Sequence, residues 1–501
     1  MRLQVPGSEL IVSIGTQKQL FVDDHIIERT RWISPRSSET ARYVQPPARP
    51  RTDLDGWTEG VDRIEGDVPG HLVRATAFVT RTVNQPERVD DNPIFEKNEP
   101  WEEDAPFPST VMYDDGLWKM WYLSLKRPCP PFRYSTLYAT SPDGISWDRS
   151  PLGLVKDDAG RDTNIVLESG CEFVLKDEEA EPSRRYKLGH SKRSEEGLQH
   201  PMLYHSPDGI HWTPDPGPFS HSRGDEVLSV MHDPVSKKYL GFCRNAYPKP
   251  MLVHRTERFI LRMQSNDLIH WSMSEPVIEK DDLDPFDSDF YRMETTFYES
   301  VYLGFLNVHH TAKDDFDIWL AYSRDSFHWE RLRTGPFLPL GPEGSWDWGM
   351  VSAIQEPIRL NDELWFYYTG VAGLHDTQGK AMGLGLAKLR VDGFASIDAF
   401  ENTHRTKNYP PTLLTKPLYS HGNRLEVNVD ASKGFIKAEL LSVDGYPIEG
   451  YSNEDCDTFK GDSLAHTFMW NGKSDIGAHL PVRVRFTMNN SKLYALQIPK
   501  G

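Results

Sequence analysis

Ser141-Pro142-Asp143-Gly144-Ile145-Ser146-Trp147 decides the fold, because it comes back. Ser206-Pro207-Asp208-Gly209-Ile210-His211-Trp212 repeats it almost unchanged. Ser265-Asn266-Asp267-Leu268-Ile269-His270-Trp271 and Ser323-Arg324-Asp325-Ser326-Phe327-His328-Trp329 follow. A worn fifth copy, Arg390-Val391-Asp392-Gly393-Phe394, keeps the Asp and loses the Trp. The steps from Asp to Asp are 65, 59, 58 and 67 residues. A period of that length marks one supersecondary unit used several times.

An alternating apolar run precedes each copy, as in Ser135-Thr136-Leu137-Tyr138-Ala139-Thr140 and Ile318-Trp319-Leu320-Ala321-Tyr322. Such alternation is the pattern of a half-buried strand. Upstream lies an aromatic strand, for example Trp118-Lys119-Met120-Trp121-Tyr122-Leu123 or Leu364-Trp365-Phe366-Tyr367-Tyr368. Before that comes a third, such as Ser109-Thr110-Val111-Met112-Tyr113, joined through the turn Asp114-Asp115-Gly116. In the heptad, Asp can accept hydrogen bonds from its own turn and Gly supplies the unusual dihedrals. The Trp is a flat apolar plate fit to wedge between units. One repeat therefore reads as a four-stranded antiparallel meander. Five in a ring predict an all-β five-bladed β-propeller, which leaves few free sheet edges.

The chain has 501 residues, an 11% aromatic content and 73 Gly and Pro residues together, which suits a turn-rich β protein. Its net charge of −18 argues against nucleic acid and anionic membrane as partners. Cys129, Cys171, Cys243 and Cys456 are far apart and form no metal-type pair, so reduced structural thiols are expected. Residues 1–20 show no signal-peptide pattern and no apolar run is long enough to span a membrane. The expectation is a soluble cytoplasmic protein; its oligomeric state stays open.

Residues 1–100 precede the first clear blade and are expected to supply a strand that closes the ring. Blades are expected over 101–154, 162–219, 224–278, 287–337 and 346–397, within a propeller of 101–403. A Pro-rich linker, 404–417, leads to 418–501, where short strands such as Arg424-Leu425-Glu426-Val427-Asn428-Val429 and Val482-Arg483-Val484-Arg485-Phe486 predict a small C-terminal β-sandwich.

Blade geometry narrows the search for chemistry. The heptad turns lie on one face of the ring, so polar residues where the inner strands begin converge on the other. That funnel is the expected ligand site. It collects Trp101, Glu102 and Asp104 from the first blade, and Asp162 and Asn164 from the second. The third blade offers Asp225, the fourth Asp289, Tyr291, Arg292 and Glu294, and the fifth Asp347, Trp348 and Glu356. Ends of second strands add Arg244 and His309. Carboxylates crowded together shift one another's pKa values, so one stays protonated while another ionises. Glycosidic cleavage needs that division between acid and base or nucleophile. Asp225, Asp289, Glu294, Asp347, Glu102 and Glu356 are the candidate catalytic acids. Trp101, Asp104, Asp162, Asn164, Arg244, Tyr291, Arg292, His309 and Trp348 are the candidate substrate-binding residues. An Asp before a strand can equally cap a turn. Glu294 and Glu356 stand out because each interrupts an apolar strand. His309-His310 is half a metal site; with no acid pair at ligand spacing, hydrogen bonding is the expected role, and no metal or cofactor is expected.

The S-x-D-x-[IF]-x-W heptads and their five-fold count resemble the five-bladed propeller glycoside hydrolases, the superfamily holding families 32, 43, 62, 68, 117 and 130. The chain is most similar in texture to family 32-like proteins of uncharacterised specificity. It shares with them Phe21-Val22-Asp23-Asp24, Trp101-Glu102, Tyr138 to Gly144, Leu320 to Asp325 and Arg390 to Phe394. The resemblance implies a glycoside hydrolase acting on a carbohydrate, such as a furanoside or an unusual sugar. The family 32 nucleophile, Arg-Asp-Pro and Glu-Cys motifs are absent in intact form; Arg161-Asp162-Thr163 and Gln355-Glu356-Pro357 are echoes. The alternatives are a family 130-like phosphorylase, with Arg244, Arg292 and His309 clamping phosphate, and a non-catalytic carbohydrate-binding propeller.

Overall fold

In the computed structural model the heptads are turns that close on themselves. Asp143 Oδ1 accepts the Ile145 and Ser146 backbone N–H groups at 2.8 and 2.7 Å, and Ser141 Oγ accepts that of Gly144 at 2.8 Å. The pattern recurs at Asp208, Asp267 and Asp325. These bonds favour the ionised form, led at Asp143 by the Ser146 N–H, and hold Asp143 down at about 2. The structure describes residues 11–28, 42–43, 64–65, 76, 78–103, 106–126, 133–193, 199–215, 229–245, 258–377, 380–401 and 410–501. No α-helix occurs among them, and none of their elements is a helix long and apolar enough to cross a membrane.

The chain divides into two units, Val83–Phe394 and Met1–Thr82 with Ala395–Gly501. The first is the five-bladed propeller. Blade I is Phe107–Asp114, Leu117–Lys126, Arg133–Ser141 and Ile165–Leu167, from the innermost strand outward. Blade II is Phe173–Lys176, Tyr186–Arg193, Gln199–Ser206 and Thr213–Pro214. Blade III is Ser229–His232, Tyr239–Arg244, Ile260–Ser265 and Glu275–Ile278. Blade IV is Ser288–Tyr298, Val301–His310, Asp315–Ser323 and Trp329–Arg331. Blade V runs from Met350–Ala353 and Ile358–Leu360 through Glu363–Ala372 to Ala381–Arg390. Its outermost strand comes from the other end of the chain: Glu87–Arg88 and Phe95–Glu96 both pair with Ala381–Arg390.

Neighbouring blades are tied by side chains that reach across. Ser109 Oγ donates to the Cys171 carbonyl at 2.7 Å between blades I and II. The Tyr239 hydroxyl donates to Asp177 at 2.5 Å between II and III, and that of Tyr302 to Asp233 at 2.8 Å between III and IV. The Tyr298 hydroxyl reaches heptad Asp392 at 2.9 Å between IV and V. The Tyr367 hydroxyl donates to the carbonyl of heptad Gly144 at 2.9 Å, which closes V onto I. Apolar cores fill the same seams: Trp121, Tyr138 and Tyr186 at one, Phe242, Phe290 and Trp329 at another. The heptad is thus a clasp between blades.

Two expected boundaries move. Ile165–Leu167 pairs with Arg133–Ser141, so residues 162–167 belong to the outer edge of blade I and not to the start of blade II. Ala395–Ala399 pairs with Ser491–Gln497 and so leaves blade V for the other unit. That unit has one sheet through Asp462–Thr467, Glu426–Asp430, Ser491–Gln497, Ala395–Ala399 and Val79–Val83, and a second through Thr412–Leu414, Arg483–Asn489 and Phe435–Leu441. Val427, Ile436, Leu440, Trp470 and Phe486 lie in its core. Gln19–Leu20 and Val12–Ser13 add strands from the N-terminal stretch, and Phe21 and Val22 are fully buried there. Residues 1–100, expected to serve the propeller alone, are therefore shared between the two units. Cys171, Cys243 and Cys456 are buried thiols, while Cys129 lies outside the described residues.

Candidate active site

The innermost strands set the level at which polar side chains meet. Thr110, Ser229 and Glu294 each stand opposite a second-strand aromatic: Trp121, Phe242 and Phe305. Alternation puts Arg292, Glu294 and Thr296 on one face of their strand. Ser229 Oγ, from the next blade, donates to Glu294 Oε2 at 2.7 Å. Arg292 grips Glu294 Oε1 through both Nε and Nη2. On the other side, Thr296 Oγ1 donates to Glu356 Oε2 at 2.6 Å. Side chains of one blade IV strand thus reach both neighbours, Glu294 to Ser229 of blade III and Thr296 to Glu356 of blade V.

The two glutamates differ in their surroundings. Burial pushes the Glu294 carboxyl up, against the pull of Arg292 and Ser229. Burial also raises Glu356, and the charge of Glu294 raises it further, against a single hydrogen bond from Thr296. Glu294 is only 6% exposed. Glu356 presents an exposed surface, yet protein crowds it closely enough to desolvate the carboxyl, as befits a side chain facing the bore of a ring. Glu294 thus has the Arg292 guanidinium beside it, while Glu356 has the Thr296 hydroxyl.

Above this pair is a second cluster. A bulge between Phe290 and Arg292 re-aims Tyr291. The Arg244 guanidinium lies over its ring at 4.0 Å and that of Arg258 at 4.8 Å. Its hydroxyl is 3.2 Å from His375 Nε2. His309 stacks on Phe316 at 4.4 Å, places Nε2 3.0 Å from Asp314 Oδ1 and Nδ1 3.2 Å from Arg258 Nη1. Arg258 can only donate, so His309 Nδ1 accepts and its proton sits on Nε2, toward Asp314. His375 Nδ1 is 3.7 Å from Asp314 and 3.0 Å from Asp376. Burial lowers both imidazoles, and each lies in a field of positive neighbours, Arg258 for His309 and His309 for His375. At Asp314, burial raises the carboxyl, but the Asp376 N–H and His309 outweigh it. Asp289 stands at the head of the inner strand, 3.7 Å from the Arg258 guanidinium.

The structure brings Arg292, Glu294 and Glu356 together, and Asp289, Tyr291, His309 and Arg244 into the cluster above. Arg258, Asp314 and His375 were not anticipated; the only trace in the sequence is the His309-His310 pair. Asp104 and Asp225 lie outside the described residues. Trp348 is half-buried just before Met350–Ala353.

Five expected positions require correction. Glu102 is fully buried, and it accepts from Tyr122 at 2.5 Å, Arg149 at 2.9 Å and the Asn98 and Glu99 N–H groups. Asn164 bonds Trp101, Tyr122 and the Tyr138 carbonyl. Glu102, Trp101 and Asn164 therefore knit the second, third and outer strands of blade I and do not face the axis. Asp347 does the same in blade V, held by Arg88 at 2.8 Å, Tyr368 at 3.2 Å and Ser345 at 2.9 Å. Asp162 is exposed and paired with Lys156 at 2.8 Å on the outer edge of blade I. In both blades a Trp-acid pair before an inner strand marks an inter-strand knot: the acid is held by a buried Tyr and by an Arg, from the loop after the heptad in blade I and from the outermost strand in blade V.

No known family matches the chain, and no curated protein is similar to it. Among solved structures, it is similar to a β-1,2-mannobiose phosphorylase from Listeria innocua in complex with β-1,2-mannobiose, at 15% identity over 61% of this chain and 96% of that one, with a TM-score of 0.46. It is similar to a thermostable family-43 glycoside hydrolase, at 15% identity over 58% and 92%, TM-score 0.43. A glycosyl hydrolase from Bacteroides ovatus gives 15% over 61% and 94%, TM-score 0.44. At such identities residue roles do not transfer.

Proposed function

We propose that the chain is a glycoside hydrolase acting on O-glycosyl bonds, with Glu356 as general acid and Glu294 as general base or nucleophile. The observation that carries this reading is the unequal pair itself. Glu294, on the inner strand of blade IV, lends its charge to Glu356, in the break between Met350–Ala353 and Ile358–Leu360 of blade V; Glu294 is gripped by the Arg292 guanidinium and Glu356 takes the Thr296 hydroxyl. A carboxyl kept protonated beside one kept ionised is what protonating a leaving oxygen and attacking the anomeric carbon require. Thr296 and Ser229 orient the two carboxyls.

The test is a glycan-library and aryl-glycoside screen of the full chain, followed by Glu356→Gln and Glu294→Gln on whichever substrate is cleaved. Each substitution is expected to lower kcat by about 10²–10⁴-fold, the usual weight of a positioned acid or base. Glycan binding without product from the unaltered protein would leave a binding propeller instead. One observation favours a second enzymatic reading: Arg244 and Arg258 both bring guanidinium groups to the Tyr291 ring, at 4.0 and 4.8 Å. Such groups suit a phosphate. Cleavage that depends on inorganic phosphate and releases a sugar phosphate identifies a glycoside phosphorylase.

A further inference from the structure

The geometry points to a divalent transition-metal site formed by His309, Asp314 and His375. Their ligand atoms, one from each residue, all lie within 4.8 Å of one another. His309 Nε2 is 3.0 Å and His375 Nδ1 3.7 Å from the same oxygen, Asp314 Oδ1. Ligands about 2.0–2.2 Å from a shared ion are separated by about 3.2–3.6 Å when tetrahedral, so the 3.0 and 3.7 Å edges already fit and the third, within 4.8 Å, has only to draw in toward that range. Two imidazoles and a carboxylate form a donor set suited to zinc and its first-row neighbours rather than calcium or magnesium.

Three features give the triangle the character of a built site. The first is origin. His309 ends the second strand of blade IV and Asp314 sits in the turn after it, while His375 comes from the loop of blade V, so an ion would bind two blades together. The second is access. Asp314 and His375 keep 27% and 25% of their side-chain surface exposed, against 3% for His309, so a fourth position faces solvent. The third is support. Asp314 takes the Asp376 N–H on its other oxygen at 2.8 Å, and His375 Nε2 meets the Tyr291 hydroxyl at 3.2 Å. Such outer contacts aim the ligands. The left-handed backbone at Asp314, φ 65°, turns its carboxylate back toward His309.

Charge and protons set the conditions for binding. Asp289 and Asp376 add negative charge nearby, Arg258 and Lys380 positive. An ion on His309 Nε2 requires its proton to move to Nδ1, which breaks the contact with Arg258; Arg258 then keeps Asp289 as its partner. Metal binding and the Arg258–His309 hydrogen bond therefore exclude each other, and Arg258→Ala is expected to bind metal more tightly.

The experiment uses the full chain without an affinity tag, stripped with chelator and titrated with Co²⁺ and Zn²⁺. Expected are one ion per chain by calorimetry and the intense visible bands of low-coordinate Co²⁺, displaced by Zn²⁺. His375→Ala and Asp314→Ala should weaken binding by at least about 100-fold, since even outer-shell partners are worth 10–100-fold. His310→Ala, whose imidazole pairs with Asp317 at 3.0 Å instead, should bind as the parent does. Circular dichroism and thermal unfolding of each variant separate lost ligands from lost fold. Absence of binding by Zn²⁺, Co²⁺, Ni²⁺ and Mn²⁺ to the folded parent, or equal binding by His375→Ala, overturns the assignment. Glu294→Gln should bind metal normally, so failure of the glycosidase reading and failure of the metal site are told apart.

Discussion

At the scale of single residues, the burial of Glu294 and Glu356 has a measurable cost. Both carboxyls are raised above their ordinary value, chiefly by desolvation. A group raised in the folded state favours folding while it is protonated and ceases to do so as pH rises through its folded pKa. Glu356→Gln removes the charge without changing the shape. The substitution is therefore expected to raise Tm more at pH 8 than at pH 4, while lowering activity; equal Tm shifts at both pH values would count against a buried, raised acid. Arg292 acts in the opposite sense. Without its guanidinium the Glu294 carboxylate loses its main support, so Arg292→Ala should raise the pKa of Glu294. The acidic limb of the kcat/KM profile then moves to higher pH, measured against the parent on the same substrate. A limb that stays in place, or moves down, would show that Glu294 is not the ionised partner.

At the scale of the strand and turn, the heptad is a steric lock between blades. A Cβ built on Gly144 would lie 2.6 Å from the Tyr367 hydroxyl and 2.9 Å from Trp118 Cε2, both in fixed positions. Gly153 has a similar φ, +71° against +75°, with nothing within 4 Å. Gly153→Ala should thus show the backbone cost alone, about 1–2 kcal/mol. Gly144→Ala should add about 1–3 kcal/mol of overpacking, read as a lower urea midpoint at unchanged slope; equal costs would mean the seam yields. The site was legible at this scale only where an element betrayed it. Glu294 follows Met293 in the buried middle of its strand, and an acid there requires a partner, so it could be singled out. Glu102 and Asp347 misled because a position along the chain says how near a residue is to an inner strand but not which way its side chain points. Tyr122 and Arg149, or Tyr368 and Arg88, pull these acids away from the axis, and those partners are up to 259 residues distant. His375 was invisible for the same reason: it is far in sequence from His309 and joins it only once blades IV and V are side by side.

At the scale of the whole propeller, what a period reveals is the number of blades, and what it conceals is how the ring is finished. Five copies of an Asp-centred turn imply five meanders, since each turn must sit between a third and a fourth strand. The last meander has no fourth strand downstream: after Phe394 the chain enters another sheet. Blade V completes itself with Glu87–Arg88 and Phe95–Glu96, two strands too short for any pattern to announce them. Between them the backbone leaves Ala381–Arg390, and the Asn92 side chain fills the gap. Asn92 Nδ2 donates to the Leu386 carbonyl at 2.9 Å, and Asn92 Oδ1 accepts the Leu386 N–H at 2.8 Å. One side-chain amide thus replaces a missing strand residue against a fully buried Leu386. Arg88 anchors the same closure to Asp347. Asn92→Ala takes the acceptor from the buried Leu386 N–H, while the Leu386 carbonyl keeps the Val89 N–H at 3.1 Å, at about 1–3 kcal/mol for the N–H left unmet. Asn92→Asp restores the acceptor and loses the donor, so its cost should fall between. Because this closure pairs with the last strand of blade V where it packs on blade I beside the Tyr367–Gly144 seam and the Trp118–Trp365 stack, the loss should also appear as faster hydrogen exchange at Ala381–Arg390 before global unfolding. If exchange there rises no more than in blade III, the strand from the N-terminal side is an ornament on an already closed ring.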